Sequence, residues 1–292
     1  MAVEPSVVSP LDLDSAYAVL AAAQPDAPAR PIAGGTDLMV ALAGELGEPP
    51  ASVVDLWAID ELRGIALDVD TLSFGALTTY TDIRRSALCR EHLPVLADAA
   101  ATIGAAQIQN RGTLGGNIAN ASPAGDTLPV LLAVDARFVL GSVRGEREVA
   151  AGDFWVGYRQ TALARDELLL RIRVPLRSHR ELRFRKVGTR RAQSISKVVI
   201  AVAWRTAPDT AAVSAWRDVR IALGSVAATP IRAARAEAVL EGSAPTPEVA
   251  DRAAEALAAE LTPIDDVRST AGYRRAVAAR VLHRIVREAG GW

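Results

Sequence analysis

The chain has 292 residues, long enough for two domains, or for one large domain and a smaller appendage, each able to bury a core. Its 33 Lys plus Arg face 34 Asp plus Glu, a net charge of -1, which removes any electrostatic case for nucleic acid or an anionic membrane surface as partner. The one cysteine, Cys89, excludes an intrachain disulfide, and with histidines only at 92, 179 and 283 the chain cannot build a closed Cys/His metal site or hold an iron–sulfur cluster of its own.

The opening "MAVEPSVVSP" lacks a basic-then-apolar leader pattern, so the expected compartment is the cytoplasm. "LDLDSAYAVLAAA" pairs an Asp-Ser start with apolar Leu13, Ala16, Tyr17 and Leu20, a helical spacing. "RPIAGGTDLMVAL" reads as a strand, a glycine turn and a helix begun at Asp37. "ASVVDL", "GIALDVD" and "TLSFGAL" are short, β-branched or alternating segments broken by punctuation, as strands are. Alanine-rich "PVLADAAATIGAA" predicts a helix running into a long glycine loop, "IQNRGTLGGNIANASPAGD" (108–126). "DTLPVLLAVDARFVL" predicts a short helix and a strand, and "DELLLRIRVP" a strand closed by Pro175.

Beyond residue 178 the pattern changes. "ELRFRKV", "ISKVVIAVAW" and "VSAWRDVRIALGSVA" are three successive strand candidates, separated by turn-like 188–194 and 205–210. Val198 to Trp204, the longest purely apolar run, is far too short to span a bilayer. Three helices follow, "PIRAARAEAVLEG", "PEVADRAAEALAAE" and "TAGYRRAVAARVLHRIVREA"; in the last, Tyr273, Val277, Val281 and Ile285 predict a buried stripe. The expected division is 1–176, with subdomains of about 1–55 and 56–176, and 177–292, a three-stranded sheet plus helices.

"AGGTDL" (33–38) and "GTLGGN" (112–117) share paired glycines, a threonine and a flanking helix. Successive glycines let backbone N–H groups converge on an anion without Cβ clashes, and a helix start adds its positive end. A lone Gly-Gly pair is commonly a tight turn; two such loops suit a diphosphate. No G-x-x-x-x-G-K-[ST] occurs and no G-x-G-x-x-G follows a strand, so neither a P-loop nor a Rossmann architecture holds the nucleotide.

"PIAGGTDL", "LSFGALTTYTDI", "IGAAQIQNRGTLGGNIANASPAGDTLPVLLAVDA", "DELLLRIRVP", "FRKVGTRRAQSISKV" and "YRRAVAARVLHR", in this order, resemble the FAD-binding subunits of molybdenum hydroxylases such as xanthine dehydrogenase and carbon monoxide dehydrogenase. The resemblance implies an α+β, vanillyl-alcohol-oxidase-like fold of two subdomains with FAD between them, followed by a C-terminal flavoprotein domain. Carried over by position, Ala33, Gly34, Gly35, Thr36, Asp37 and Leu38, with Thr113, Gly115, Gly116 and Asn117, hold the diphosphate by backbone amides and the two threonine hydroxyls. Asp126 takes a ribityl or ribose hydroxyl, though the residues alone equally allow it to cap the helix that follows. Ala76, Thr78, Ile103 and Gly104 line the cleft; Leu169 and Lys186 lie near the ring, where the cation would favour the reduced anionic flavin. Leu169 and Ile103 also read as core residues, and Lys186 as part of a solvated strand edge. Gln109 departs from the family's usual arginine, and no histidine lies in either glycine loop, which implies non-covalent FAD.

The implied function is electron transfer. Two-iron, two-sulfur clusters on a small subunit and molybdopterin on a large one lie outside this chain, whose FAD passes electrons to NAD, a quinone, a carrier protein or oxygen. No side chain is then needed as catalytic acid, base or nucleophile. The alternative is a stand-alone FAD oxidase of a small organic substrate, for which neither glycine loop nor "FRKVGTR" offers an evident base.

Overall fold

The computed structural model describes residues 5–24, 26–44, 48–177, 180–190, 193–206 and 214–292; His179 and parts of the turns expected at 188–194 and 205–210 lie outside them. Among the described residues no helix is long and apolar enough to cross a membrane.

A three-stranded parallel sheet opens the chain, with Ser52–Asp55 between Ser6–Val8 and Ala29–Ile32. Parallel strands need crossovers: the helix Leu13–Ala22 joins the two outer strands, and Leu38–Ala43 lies in the return from Ala29–Ile32 to the central one. The start of Leu13–Ala22 is fixed by Asp12, not by the expected Asp14-Ser15 pair: the Asp12 carboxylate accepts from the Ser15 amide at 2.7 Å. Ala16, Tyr17 and Leu20 are its buried face, as their spacing predicts.

The second sheet is antiparallel and five-stranded, in the order Ile65–Asp68, Thr71–Gly75, Leu168–Pro175, Arg137–Ser142, Gly145–Ala150. Its central strand arrives last in the chain, so the segment between residues 76 and 136 must leave the sheet and return. That excursion carries the stretch read as a loop. It is in fact largely helical: Ala106–Arg111 and Leu114–Asn120 meet at Gly112-Thr113. Thr113 caps the second helix, accepting from the Gly116 amide at 3.0 Å. Helices this short and this rich in glycine carry no apolar periodicity, which hid them.

The third sheet is antiparallel and has four strands: Arg180–Val187, Val198–Thr206, Trp216–Gly224 and Ile231–Arg232. The three-strand expectation placed the last of these within a helix; that helix begins only at Ala234, after Ile231 has paired with Leu223. Both faces of this sheet are covered. Val199, Ala201, Ala203 and Ala222 pack into the core of the first two sheets. Val198, Ile200, Val202, Trp204, Ile221 and Leu223 form a second core with the helices Ala234–Leu240, Pro247–Glu260 and Ala271–Gly290. Burial on two faces explains the unbroken apolar run at 198–204. Arg180 ties the third sheet to the turn before Arg137–Ser142, donating from Nη2 to Asp135 at 3.3 Å and to Asp218 at 3.1 Å.

The buried face of the last helix is Arg274, Ala278, Leu282, Ile285 and Val286; of the expected stripe Ile285 is buried and Val277 and Val281 pack partly buried against the same core. Tyr273 is exposed. Arg274 takes its place in the interior because Nη1 donates to the Ser225 carbonyl at 2.8 Å and Nη2 to Asp266 at 2.7 Å. A buried arginine so bonded is invisible to an apolar-period search.

Candidate functional site

The excursion from the central sheet and the glycine turn after Ala29–Ile32 enclose one cavity of about 400 Å³. Its lining brings together Ala33, Gly34, Gly35, Thr36, Asp37 and Leu38 with Ala76, Thr113, Gly115, Gly116, Asn117 and Leu169. Leu169 reaches it where the pairing of its strand shifts register, between Leu169 and Arg171. Thr78, Ile103, Gly104, Asp126 and Lys186 are not in that lining.

The two glycine loops do different work. In the first, Gly35 has φ 75°, a conformation glycine adopts without strain, and Gly34 packs so tightly that a Cβ there would lie 1.7 Å from the Arg111 carbonyl oxygen. Among the described residues the amides of Gly34, Gly35 and Thr36 and the Thr36 hydroxyl find no protein acceptor. Converging donors of this kind suit an anion. In the second loop the Leu114, Gly115 and Gly116 amides are already used: they donate to Thr78 at 2.9 Å, to Ala76 at 2.9 Å and to the Thr113 hydroxyl at 3.0 Å. Its contribution is space. A Cβ on Gly115 would strike Ala76, whereas one on Gly116 would meet only the Thr113 hydroxyl at 2.8 Å and Ala33 Cβ at 4.0 Å, its remaining side being open cavity. The Thr113 hydroxyl still has its own proton to give. The residues fit a dinucleotide flavin: free amides for the diphosphate, close backbone approach at Gly116, and an apolar wall from Leu56, Leu77 and Leu169.

Polar residues that sequence reasoning passed over complete the rim. Asn120 Nδ2 donates to Asp37 at 2.8 Å, and Arg159 Nη1, from the tip of the hairpin Trp155–Gly157 and Gln160–Thr161, donates to Asn120 Oδ1 at 2.9 Å. Exclusion of water by the surrounding protein raises the Asp37 carboxyl above the usual carboxylate range, against the pull of Arg159 and Asn120. Tyr80, also in the lining, is buried, which pushes its hydroxyl well above an ordinary tyrosine and keeps it neutral. Had 114–120 been read as a helix, Asn117 and Asn120, one turn apart, would have shared a face; nothing in the local sequence marks Arg159.

Glu167 fixes the opposite wall. It accepts from Arg147 Nε and Nη2, both at 2.7 Å, and from the Ala164 amide at 2.8 Å. The Arg147 hydrogen bond holds its carboxyl below the usual range. A depressed folded value means the stabilisation is present above the unfolded pKa of about 4.3 and is lost as pH falls through the folded value. Glu167→Gln should therefore lower the melting temperature at pH 7 while removing part of the acid-side loss that the parent shows; parallel acid limbs in the two proteins would contradict this.

Asp126 and Lys186 form a separate buried cluster. Lys186 Nζ donates to Asp126 Oδ2 at 2.6 Å and to the Thr102 carbonyl at 3.1 Å, and the Ser196 hydroxyl donates to Asp126 Oδ1. Both side chains are under one-tenth exposed, so Lys186 is no solvated edge. Asp126 is no helix cap either: the helix Leu128–Ala133 has Thr127 at that position and no side-chain cap bond. Burial raises the Asp126 carboxyl, Lys186 opposing. Gly104 has φ 53° and packs on Ile108, and Gln109 Nε2 holds the preceding turn by donating to the Ile103 carbonyl at 3.0 Å. Where the expected arginine would stand, the glutamine is thus inward-facing, while Arg111 stacks on Trp57 at 3.7 Å.

Residues 2–177 match the family described as FAD binding domain in molybdopterin dehydrogenase, and 183–289 the CO dehydrogenase flavoprotein C-terminal domain. The nicotine 6-hydroxylase medium subunit of Paenarthrobacter nicotinovorans is 35% identical over 97% of this chain and 96% of its own length. The carbon monoxide dehydrogenase medium chain of Hydrogenophaga pseudoflava is 33% identical over 96% and 95%. A solved carbon monoxide dehydrogenase from Hydrogenophaga pseudoflava superposes with a TM-score of 0.90 at 33% identity, covering 97% of this chain and 96% of that one.

Proposed function

The chain belongs to the FAD-binding subunits of the molybdopterin dehydrogenases, and from that premise we propose that it is the electron-delivering flavoprotein of a molybdenum hydroxylase complex. A small subunit with two-iron, two-sulfur clusters and a large molybdopterin subunit complete the assembly. Bound FAD supplies the redox chemistry, so that a pair of electrons removed from substrate on the large subunit crosses the clusters singly and leaves to NAD, a quinone, a carrier or oxygen. This chain's residues bind and orient. The Gly34 to Thr36 amides with the Thr36 and Thr113 hydroxyls take the diphosphate, Gly116 leaves room for it, and Leu169 forms the apolar wall.

The observation that carries the reading is a cavity with free anion donors and no acid–base pair poised for substrate chemistry. Of its ionisable neighbours, Glu167 is bound to Arg147, Tyr80 is buried, and Asp37 is bound to Asn120. The test is anaerobic flavin bleaching. The FAD-loaded chain alone should bleach with dithionite but with no aldehyde, purine, N-heterocycle or carbon monoxide, and adding the two partner subunits should restore bleaching by the substrate of the complex. Saturable bleaching of the isolated chain by a small alcohol or amine would instead establish a stand-alone oxidase.

A further inference from the structure

The donors of the first glycine loop are neutral, while a diphosphate diester is doubly negative, and a carboxylate, Asp37, stands on the same loop. A cation beside both would strengthen binding. Three arginines, Arg30, Arg159 and Arg165, line the cavity. All three are exposed, and neither Arg30 nor Arg165 makes a described hydrogen bond that would aim it. Arg159 is aimed. Its Nη1 donates to Asn120 Oδ1 at 2.9 Å, and Asn120 is itself fixed by donating to Asp37 at 2.8 Å.

That arrangement leaves Arg159 incompletely satisfied. A guanidinium has five N–H donors and seeks carboxylate or phosphate in bidentate fashion. Other arginines nearby are so paired: Arg147 with Glu167, Arg144 with Asp166. Arg159 has a neutral amide as its hydrogen-bond partner among the described residues, and the Asp37 carboxyl acts on its charge only beyond that amide, which leaves its other donors for a ligand. The residue is also held at φ 53°, a left-handed conformation that a non-glycine side chain adopts at a cost, at the tip of a two-stranded hairpin that reaches to the cavity.

We propose that Arg159, held over the cavity through Asn120 and Asp37, is the cation that recognises the diphosphate of the bound dinucleotide. The proposal rests on the flavoprotein reading above and adds to it a positioned charge on the hairpin, with Asn120 as its positioning residue. Asp37 acts through Asn120: its carboxylate fixes the amide so that the amide oxygen faces Arg159.

The experiment titrates the flavin-free 292-residue chain with FAD, riboflavin and ADP, following flavin fluorescence and heat, at low and high salt. Arg159→Gln should weaken FAD and ADP binding about 10- to 100-fold and flatten the salt dependence of both, while leaving riboflavin, which carries no phosphate, within about twofold. Arg159→Lys, which keeps the charge but not the fork, should fall between. Circular dichroism and melting separate lost affinity from lost fold; if Arg159→Gln does not fold, the same comparison is made with Asn120→Leu, which frees the arginine and should weaken FAD but not riboflavin. Equal losses for FAD and riboflavin, or unchanged FAD affinity in a variant that folds, would overturn the assignment of Arg159 alone. A wild-type chain that takes up no flavin would overturn the flavoprotein reading with it.

Discussion

Gly116→Val should give a soluble, folded chain stripped of flavin. The substitution places three carbons where the structure has only the Thr113 hydroxyl at 2.8 Å and, beyond Ala33 Cβ, open cavity. The hydroxyl can rotate away, which forfeits the cap on Leu114–Asn120 at a cost of about 1 kcal/mol, small against the stability of a domain. The loss falls on the ligand instead, because the valine occupies the space through which the diphosphate approaches the backbone. Gly34→Ala is the contrasting control. Its Cβ would lie 1.7 Å from the Arg111 carbonyl oxygen, a collision between two backbones that no rotamer relieves, so that variant should fail to accumulate as soluble protein. The ratio of visible flavin absorbance to protein absorbance, with circular dichroism as the check on folding, reads both outcomes. Normal flavin content in a folded Gly116→Val chain would remove the diphosphate from this cavity.

The contrast between these glycines shows what the sequence could and could not reveal. Paired glycines flanked by threonine were legible as an anion loop, and the loop at 33–38 has that character. The second pair looked the same in one dimension yet serves close packing at Gly115 and leaves open space at Gly116, with both amides already bonded. Distinguishing the two requires knowing which carbonyls lie nearby, and those come from Ala76 and Thr78 on another segment. Strands were read well where one or both faces are apolar, as at 198–204. Elements whose logic is polar were missed: Arg274 lies inside where Tyr273 was expected, because its hydrogen bonds, not its hydropathy, place it there, and Arg159 reaches the cavity from a hairpin with no periodic signature.

Lys186→Met should cost roughly 3–5 kcal/mol at neutral pH, because it leaves the Asp126 carboxyl buried without its cation. For a chain of this size that is a fall of roughly 6–20 °C in melting temperature. The loss should depend on pH in a definite direction. Burial already raises the Asp126 carboxyl, and removing the lysine that opposes this raises it further. A folded-state value above the unfolded one, about 3.9, means that the stabilisation is complete below the unfolded pKa and is lost as pH rises through the folded value. The deficit of Lys186→Met relative to the parent should therefore be smallest in acid, grow with pH, and level off once the folded value is passed. Asp126→Asn in the same background should recover much of the loss and remove that slope, since the amide carries no charge to bury. The same logic bears on the flavin. Below the folded-state value of Asp126 in the variant the carboxyl takes up a proton and leaves the cluster neutral before and after, so there the reduction potential should move little and should fall only as pH rises through that value, in place of the pH-independent drop expected from loss of an unpaired cation beside the ring. Melting curves from pH 4 to 8 on the three variants decide the matter. A deficit independent of pH, together with a clearly lowered potential, would show that Lys186 acts on the flavin as a free charge and that its pairing with Asp126 counts for little.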